Sequence, residues 1–217
     1  MITTFVIEIA CAMYVIARYK LTPVSRLAVA VLIGLAVFQL AEFNVCEGSW
    51  GVDSLTWARI GYVAITLLPP LGLHLMTRMA GVKQPLLVVG AYAVAAVFAC
   101  IFLFVGHGMR GQECLGNYVI FEIAPWAVWP YALYYYGLLL LTVGITLRES
   151  MRVKARNVKA ALISLAVGYA AFIVPTTFVN VVDPTTIAGI PSIMCGFAVI
   201  LALILTGIVI PKYHAKK

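Results

Sequence analysis

The chain has 217 residues, of which 64% are hydrophobic and 11% are charged. A globular domain is ordinarily about half apolar and about one-quarter charged, so a water-soluble fold could not bury this much apolar surface. The formal net charge of +7 does not indicate nucleic-acid binding, because no basic run is interleaved with aromatic residues. The composition predicts an integral membrane protein.

Apolar segments near or above the roughly 20 residues of a membrane-spanning helix recur along the chain. Only helices and closed barrels satisfy every backbone polar group in lipid, and the alternating pattern of barrel strands is missing. The predicted spans cover residues 2–18, 26–45, 55–78, 85–105, 125–147, 158–181 and 190–210. The sequence therefore predicts an all-α integral membrane protein, a seven-transmembrane helix bundle that forms one domain over residues 1–217.

The basic residues fall almost entirely at one set of span ends. This set comprises Arg18, Lys20, Arg26, Arg78, Lys83, Arg148, Arg152, Lys154, Arg156, Lys159, Lys212, Lys216 and Lys217. Only Arg59 and Arg110 fall at the opposite ends. Positively charged loops stay in the cytoplasm, so we expect the N-terminus outside and the C-terminus in the cytoplasm. Arg18 and Lys20 follow the first apolar run instead of preceding it, so that run is predicted to be a helix and not a signal peptide.

Two of the five cysteines lie on the predicted outer face, where disulfides persist. Cys46 follows the second span, and Cys114 lies in the long loop between the fourth and fifth spans. We predict a Cys46–Cys114 disulfide, with two free thiols as the alternative. Cys11, Cys100 and Cys195 fall inside spans, where a cysteine is typical of small apolar packing.

Several chemical functions lack the residues that they require. Residues 106–111 read GxGxxG but follow a membrane span without a βαβ unit, so they do not predict a dinucleotide site. His74 is the only histidine within a span, which excludes bis-histidine haem and suggests a hydrogen-bonded packing role. The last span has no lysine for retinal. We expect no enzymatic activity, no cofactor and no metal site.

An ionisable residue inside a span is costly and is therefore a functional hypothesis. The polar residues of the outer half are Glu8, Gln39, Glu42, Arg59, Glu122, Asn180 and Asp183. We expect Arg59 to form an ion pair with Glu42 or Glu8. Two interpretations stay open: a polar pocket for a small ligand that opens to the outside, or a structural ion pair with interfacial belt residues.

Aromatic and proline residues add two expectations. The tyrosines at 131 and 134–136 are predicted to pack with satisfied hydroxyl groups. Pro69 and Pro70 in the third span, and Pro175 in the sixth, remove backbone donors and favour kinks that can act as hinges.

The segment LTWARIGYVAITLLPPLGLHLMTRMAG carries Trp57, Pro69, Pro70, Leu73, His74 and Gly81. Together with PYALYYYGLLLLTVGITLRESMR and GIPSIMCGFAVILALILTGIVIPKY, it resembles the N-terminal seven-transmembrane sensor region of bacterial and archaeal membrane histidine kinases. The resemblance spans nearly the whole chain and implies a sensor fold with its N-terminus outside, in the inner (cytoplasmic) membrane of a bacterium or archaeon. In that family a linker, a PAS domain or a kinase core usually follows. Here only PKYHAKK follows, so we expect a stand-alone module without the kinase core.

The leading hypothesis is a receptor-like module that binds a small ligand in its outer half and signals through a separate membrane or cytoplasmic partner. The alternative is a non-catalytic accessory or structural subunit of a larger membrane complex, or a homo-oligomer. Its contact surface would be a small-residue stripe of the fourth helix (GAYAVAAVFAC) or of the sixth helix (AVGYAAF), where enlarging Ala95 or Gly168 would disturb assembly. A transporter is disfavoured because no inverted repeat is evident.

Overall fold

The computed structural model describes residues 1–48, 51–105, 108–115, 118–183 and 190–215. Within these residues the chain forms seven helices and one two-stranded hairpin, and each predicted span coincides with a helix. The elements are α1 (Ile2–Arg18), α2 (Pro23–Glu47), α3 (Ser54–Ala80), α4 (Pro85–Phe104), β1 (Met109–Leu115), β2 (Tyr118–Ile123), α5 (Pro125–Arg152), α6 (Arg156–Val182) and α7 (Ile190–His214). The last helix contains a π-helical turn at Leu205–Val209.

Six of these helices, α2 to α7, are long and apolar enough to cross a membrane. The first helix has 17 residues, slightly fewer than the roughly 20 that a perpendicular span needs. The chain is therefore a helical membrane protein, and the crossing by α1 stays a prediction.

Local signals in the sequence fix the ends of α2 and α3. At the start of α2, the Thr22 hydroxyl accepts a hydrogen bond from the Ser25 amide. At the start of α3, a carboxylate oxygen of Asp53 accepts from the Thr56 amide at 2.9 Å. Both helices end at a glycine in the left-handed conformation, Gly48 and Gly81, which only glycine adopts without steric cost.

Consecutive helices are neighbours, and α7 also packs against α1 and α2, so the bundle closes on itself. The third helix is the most central, because it packs against α2, α4, α5 and α6. Glycines allow the close approach of α3 to its neighbours. A Cβ added at Gly61 would lie 3.0 Å from the Cβ of Ala41 in α2. A Cβ at Gly72 would overlap the hydroxyl oxygen of Tyr169 in α6.

The hairpin is a feature that the all-α prediction missed. Strands β1 and β2 pair antiparallel, with Cys114 opposite Val119 and Gln112 opposite Phe121. Val119 and Phe121 are buried, whereas Glu122 is exposed, so the alternation of a half-buried strand is present over a few residues. Because so short an alternation is weak beside the long apolar spans, the sequence predicted only a loop here. We call the end of the bundle that carries β1 and β2 the hairpin end, and the opposite one the basic end.

A disulfide and a hydrogen bond hold the hairpin on the bundle. The structure joins Cys46, in the last turn of α2, to Cys114 of β1 by a disulfide with a Cα–Cα distance of 5.8 Å. In addition, the Gln112 amide nitrogen donates a hydrogen bond to the Ser54 hydroxyl at 2.7 Å. The hairpin is thereby fixed to α2 and to the first turn of α3.

The small-residue stripes do not present Ala95 and Gly168 to an outside partner. Ala95 is fully buried within the chain. A Cβ at Gly168 would lie 2.7 Å from Cδ1 of Leu201 in α7. Enlarging either residue would therefore disturb the bundle itself, so these two substitutions cannot test for a subunit interface.

Candidate functional site

A cavity of about 440 Å³ lies at the hairpin end between α3, β2, α5 and the start of α7. This volume is within the range of small-molecule sites in proteins, roughly 300–1,000 Å³. The lining residues are Tyr62, Ile65, Phe121, Glu122, Ile123, Pro125, Val128, Tyr131, Ala132, Tyr135, Tyr136, Ile190 and Pro191. The walls are mainly apolar and aromatic, and Glu122 is the charged residue among them.

Aromatic packing gives the cavity a rigid wall. The ring of Tyr62 lies 5.3 Å from that of Phe121 and 5.6 Å from that of Tyr131, measured between centroids. Phe102 of α4 supports the same wall from behind, with centroid distances of 4.9 Å to Tyr62 and 5.2 Å to Tyr131. Edge-to-face and tilted contacts of this kind are favourable and hold the rings in place.

The cavity wall is connected to the proline step of α3 by hydrogen bonds. Pro70 has no N–H group, so the carbonyl of Thr66, four residues earlier, loses its helical donor. The Tyr134 hydroxyl donates to this carbonyl at 2.7 Å. The Thr66 side chain in turn lies 3.0 Å from the hydroxyl of Tyr131, which lines the cavity. The cavity wall is thereby connected to the backbone of α3 where its helical hydrogen bonding is interrupted.

Three of the polar residues singled out from the sequence lie together between α1 and α2. Glu8, Gln39 and Glu42 have exposed fractions of 0%, 2% and 1%. The Thr4 hydroxyl donates to Oε1 of Gln39 at 2.7 Å and connects the two helices. The Ser192 hydroxyl accepts a hydrogen bond from the Val119 amide at 3.0 Å and is hydrogen-bonded to the Glu42 carboxyl group. These residues form a buried cluster and do not line the cavity.

The expected ion pair between Arg59 and Glu42 or Glu8 is wrong. Among the described side chains, the one salt bridge joins Arg152 to Glu149 at 3.5 Å. Arg59 lies two positions before Gly61, which faces α2, and two residues turn an α-helix by about 200°. It therefore projects from nearly the opposite side of α3, away from α1 and α2. Its charge acts on Asp53, at the start of the same helix.

The remaining polar residues are divided between two places. Glu122 is exposed and lines the cavity. Asn180 is half-buried and Asp183 is exposed at the hairpin end of α6, which packs mainly against α7 and α5. Because α7 lies between α6 and α1, these two residues are separated from the Glu8 cluster. The sequence placed all of these residues at one depth, but it did not show on which side of the bundle each one lies.

His74 is hydrogen-bonded at the basic end of α3. Nε of Arg78 donates to Nε2 of His74 at 3.2 Å, and Nδ1 lies 3.4 Å from the Tyr92 hydroxyl of α4. Arginine has no acceptor atom, so Nε2 must accept and Nδ1 must carry the proton of the neutral ring. This arrangement connects α3 to α4. The helices α3 and α6 continue through Pro69, Pro70 and Pro175, and a hinge role for these prolines stays a prediction.

The tyrosines of α5 form the part of the site that the sequence analysis underestimated. Tyr131, Tyr135 and Tyr136 line the cavity, although they were predicted only to pack. The signal was the density of hydroxyl-bearing rings near the outer end of one span. Their cavity-facing direction could not be inferred, because the hairpin that completes the site was not predicted.

No protein-family model matches the chain, and no curated protein matches it significantly. The resemblance to sensor regions of histidine kinases therefore rests on the motif residues of the sequence and stays a prediction.

Proposed function

We propose that the chain is a membrane sensor module that binds a small molecule in the cavity at the hairpin end and signals to a separate protein at the basic end. The observation that carries this proposal is the cavity itself, with its rigid aromatic wall and its hydrogen-bonded connection to α3. The resemblance to histidine-kinase sensor regions agrees with it. Without such a resemblance, a cavity of this size and lining would still be the default place for a ligand.

The distribution of charge supports an orientation with the hairpin end outside. Eleven of the thirteen basic residues that the structure describes lie at the basic end, which favours a cytoplasmic position. A disulfide at the opposite end fits an oxidising compartment. The exposed indoles of Trp126 and Trp129, at the start of α5, suit the boundary between lipid and water. These features favour the hairpin end outside, and the resemblance to histidine-kinase sensor regions favours the inner membrane of a bacterium or archaeon.

The cavity chemistry favours an amphiphilic ligand with an apolar body and one positively charged or hydrogen-bond-donating group. The carboxylate of Glu122 has no ion-pair partner among the described side chains and lies at the cavity edge. Aromatic faces such as those of Tyr62 and Tyr131 attract cations as well as apolar rings. A hydrophobic monocation would satisfy both parts of the site.

The route of the signal follows from the contacts of Tyr131. Its ring lines the cavity and its hydroxyl contacts the Thr66 side chain, next to the proline step of α3. A ligand that moves this ring would shift the balance between two arrangements of α3, provided that it binds them with different affinities. At the basic end, α3 carries the His74 and Arg78 contacts to α4, where a partner could detect the change.

Thermal unfolding in mild detergent tests the site with a defined pair of probes. Benzyltrimethylammonium carries the proposed cation, and neopentylbenzene is its uncharged isostere. A ligand that binds only the folded chain raises the unfolding temperature as its concentration exceeds Kd. We expect the cation to raise the unfolding temperature of the wild type, and to raise that of Glu122→Gln by less. In Ala132→Trp, where the larger side chain fills the cavity, we expect neither probe to raise it.

Ala96→Trp on the exposed face of α4 is the matched control and should respond as the wild type does. Equal responses of wild type and Ala132→Trp to both probes would contradict binding in the cavity. Recovery of the purified chain with a stoichiometric membrane protein, unaffected by Ala132→Trp, would support the accessory-subunit alternative instead.

A further inference from the structure

Two carboxyl groups lie inside the bundle without the partners that buried carboxylates normally have. Neither oxygen of Glu8 has a hydrogen-bond partner among the described residues, and Oε1 of Glu42 also lacks one. Both side chains are at most 1% exposed. A buried carboxylate is very costly unless it is paired and hydrogen-bonded. The charge of these two groups must therefore be compensated in some other way in the folded chain.

The charged and titratable groups around the pair are few. The two carboxyl groups are close enough for their charges to interact. The thiol of Cys195 in α7 is close enough to interact electrostatically with both of them. The α-amino group of Met1 is the positive group that acts on Glu8 and on Glu42. Arg59 projects to the other side of α3. Even with the amine counted, one positive charge cannot neutralise two carboxylates.

We propose that Glu8 and Glu42 form a proton-binding site between α1, α2 and α7, in which at least one of the two carboxyl groups is protonated while α1 is docked on α2. The site is separate from the ligand cavity and does not depend on the proposed sensor function.

The surrounding atoms favour a proton over a bound metal ion. Within the described residues, no group of three acidic, histidine or cysteine side chains could hold a metal. The neutral oxygens nearby are already engaged: Oε1 of Gln39 accepts from Thr4, and the Ser192 hydroxyl joins Val119 to Glu42. A cation would find little more than the three unpartnered carboxyl oxygens, whereas Ca²⁺ and Mg²⁺ need about six oxygen ligands.

The bound proton would control the docking of α1. This helix buries Cys11, Ala12 and Val15 together with Glu8, and it packs mainly against α2. If both carboxyl groups ionised, they would repel one another across the α1–α2 contact and attract water into it. Release of the proton would then loosen α1 from the bundle.

Infrared difference spectroscopy of the purified chain tests this proposal directly, because a protonated carboxyl group has its own C=O stretching band. The wild type at neutral pH should show this band, and the double variant Glu8→Gln/Glu42→Gln should lose it. Glu113→Gln, which changes an exposed glutamate of β1, is the matched control and should retain it. Absence of the band from the folded wild type would overturn the proposal.

Thermal unfolding across neutral and alkaline pH provides a second measurement. The native chain holds a proton that the unfolded chain releases, so stability falls as pH rises, by up to about tenfold in the folding equilibrium constant per pH unit and per proton. The double Gln variant should lose this fall, while Glu113→Gln keeps it. A fall that is unchanged in the double variant would contradict the site.

Replacing sodium chloride with choline chloride, at constant pH and ionic strength, distinguishes a proton from an alkali cation. We expect no difference between the two salts in the infrared band of the wild type. A band that appears only when sodium is removed would show that a cation occupies the site, which would overturn the proposal.

Discussion

The hydroxyl of Tyr134 in α5 donates a 2.7 Å hydrogen bond to the carbonyl of Thr66 in α3, the carbonyl that Pro70 leaves without its helical donor. A side chain of one helix thus replaces the backbone donor that proline removes from another helix. Buried backbone carbonyls in a bilayer must find such partners, because no water is available to replace them. The proline step is therefore stabilised by α5, which also supplies more cavity-lining residues than any other element.

Removal of this hydroxyl group should destabilise the contact between α3 and α5. We expect Tyr134→Phe to lower the free energy of unfolding by about 1–2 kcal/mol, because a buried carbonyl is left without a donor. Tyr136→Phe is the matched control, since its hydroxyl makes no hydrogen bond with the described residues, and it should be nearly neutral. Chemical unfolding in detergent, monitored by circular dichroism, measures both. Equal stabilities of the two variants would contradict this role of the Tyr134 hydroxyl.

The close approach of α3 and α6 at Gly72 should not tolerate a larger residue. A Cβ at this position would overlap the Tyr169 hydroxyl, so we expect Gly72→Ala to destabilise the chain by roughly 1–3 kcal/mol. Adding Tyr169→Phe should restore part of this loss by removing the overlapping oxygen.

Gly90→Ala in α4 is the control for the change of residue type alone, because nothing lies within 4 Å of its added Cβ. This substitution should stabilise the helix slightly, by roughly 0.5–1 kcal/mol. If Gly72→Ala were as well tolerated as Gly90→Ala in thermal unfolding, the packing of α3 on α6 would not be as close as described.

The disulfide predicts a definite pattern of thiol labelling. Cys11, Cys100 and Cys195 are free and Cys46 is bonded to Cys114, so the denatured chain should take up three maleimide labels before reduction and five after it. Cys46→Ser should take up four labels under either condition. Mass spectrometry counts the labels, and five labels without reductant would show that the bond does not form.

Loss of the same disulfide should loosen the hairpin. A bond that closes a loop of this length contributes roughly 2–4 kcal/mol, and it holds the strand that pairs with Phe121 and Glu122 of the cavity wall. We expect Cys46→Ser to speed amide hydrogen exchange in β1 and β2 while α6 is unaffected. Equal exchange in both proteins would mean that the Gln112–Ser54 contact is sufficient to hold the hairpin.

The stability of the first turn of α3 should decrease at acid pH. Hydrogen bonds from the Thr56 hydroxyl and amide hold the pKa of Asp53 below its ordinary value. A lowered pKa means that the cap stabilises the helix at higher pH and that its contribution is lost as the pH falls below about 4 and through the folded-state pKa. The protection of the Thr56 amide from hydrogen exchange, taken relative to the intrinsic exchange rate at each pH, should therefore fall in acid.

Two variants at this position separate ionisation from capping. Asparagine is also a good N-cap residue, so Asp53→Asn should keep the turn protected and remove the acid dependence. Asp53→Ala should expose it at every pH. A loss of protection in acid that persists in Asp53→Asn would assign the effect to another group.

Much of the fold could be predicted from the sequence, because long apolar runs, prolines at helix starts and Gly81 at a helix end act locally. The faces that the helices turn to one another could not. The sequence predicted that Arg59 and Glu42 lie at a similar level, but it did not show that Arg59 projects from the side of α3 that faces away from α2. The cavity could not be predicted either, since Phe121, Tyr135 and Ile190 come from elements that are distant in the chain.

The central claim is that a small molecule occupies the cavity between α3, β2, α5 and α7. The most direct test is native mass spectrometry of the chain purified in mild detergent, with wild type, Ala132→Trp and Ala96→Trp compared in parallel. We predict a retained small molecule on the wild type and on Ala96→Trp, and none on Ala132→Trp. The same adduct on all three proteins would contradict the claim. The claim would also be contradicted if none of them retained an adduct and neither benzyltrimethylammonium nor neopentylbenzene added mass to the wild type.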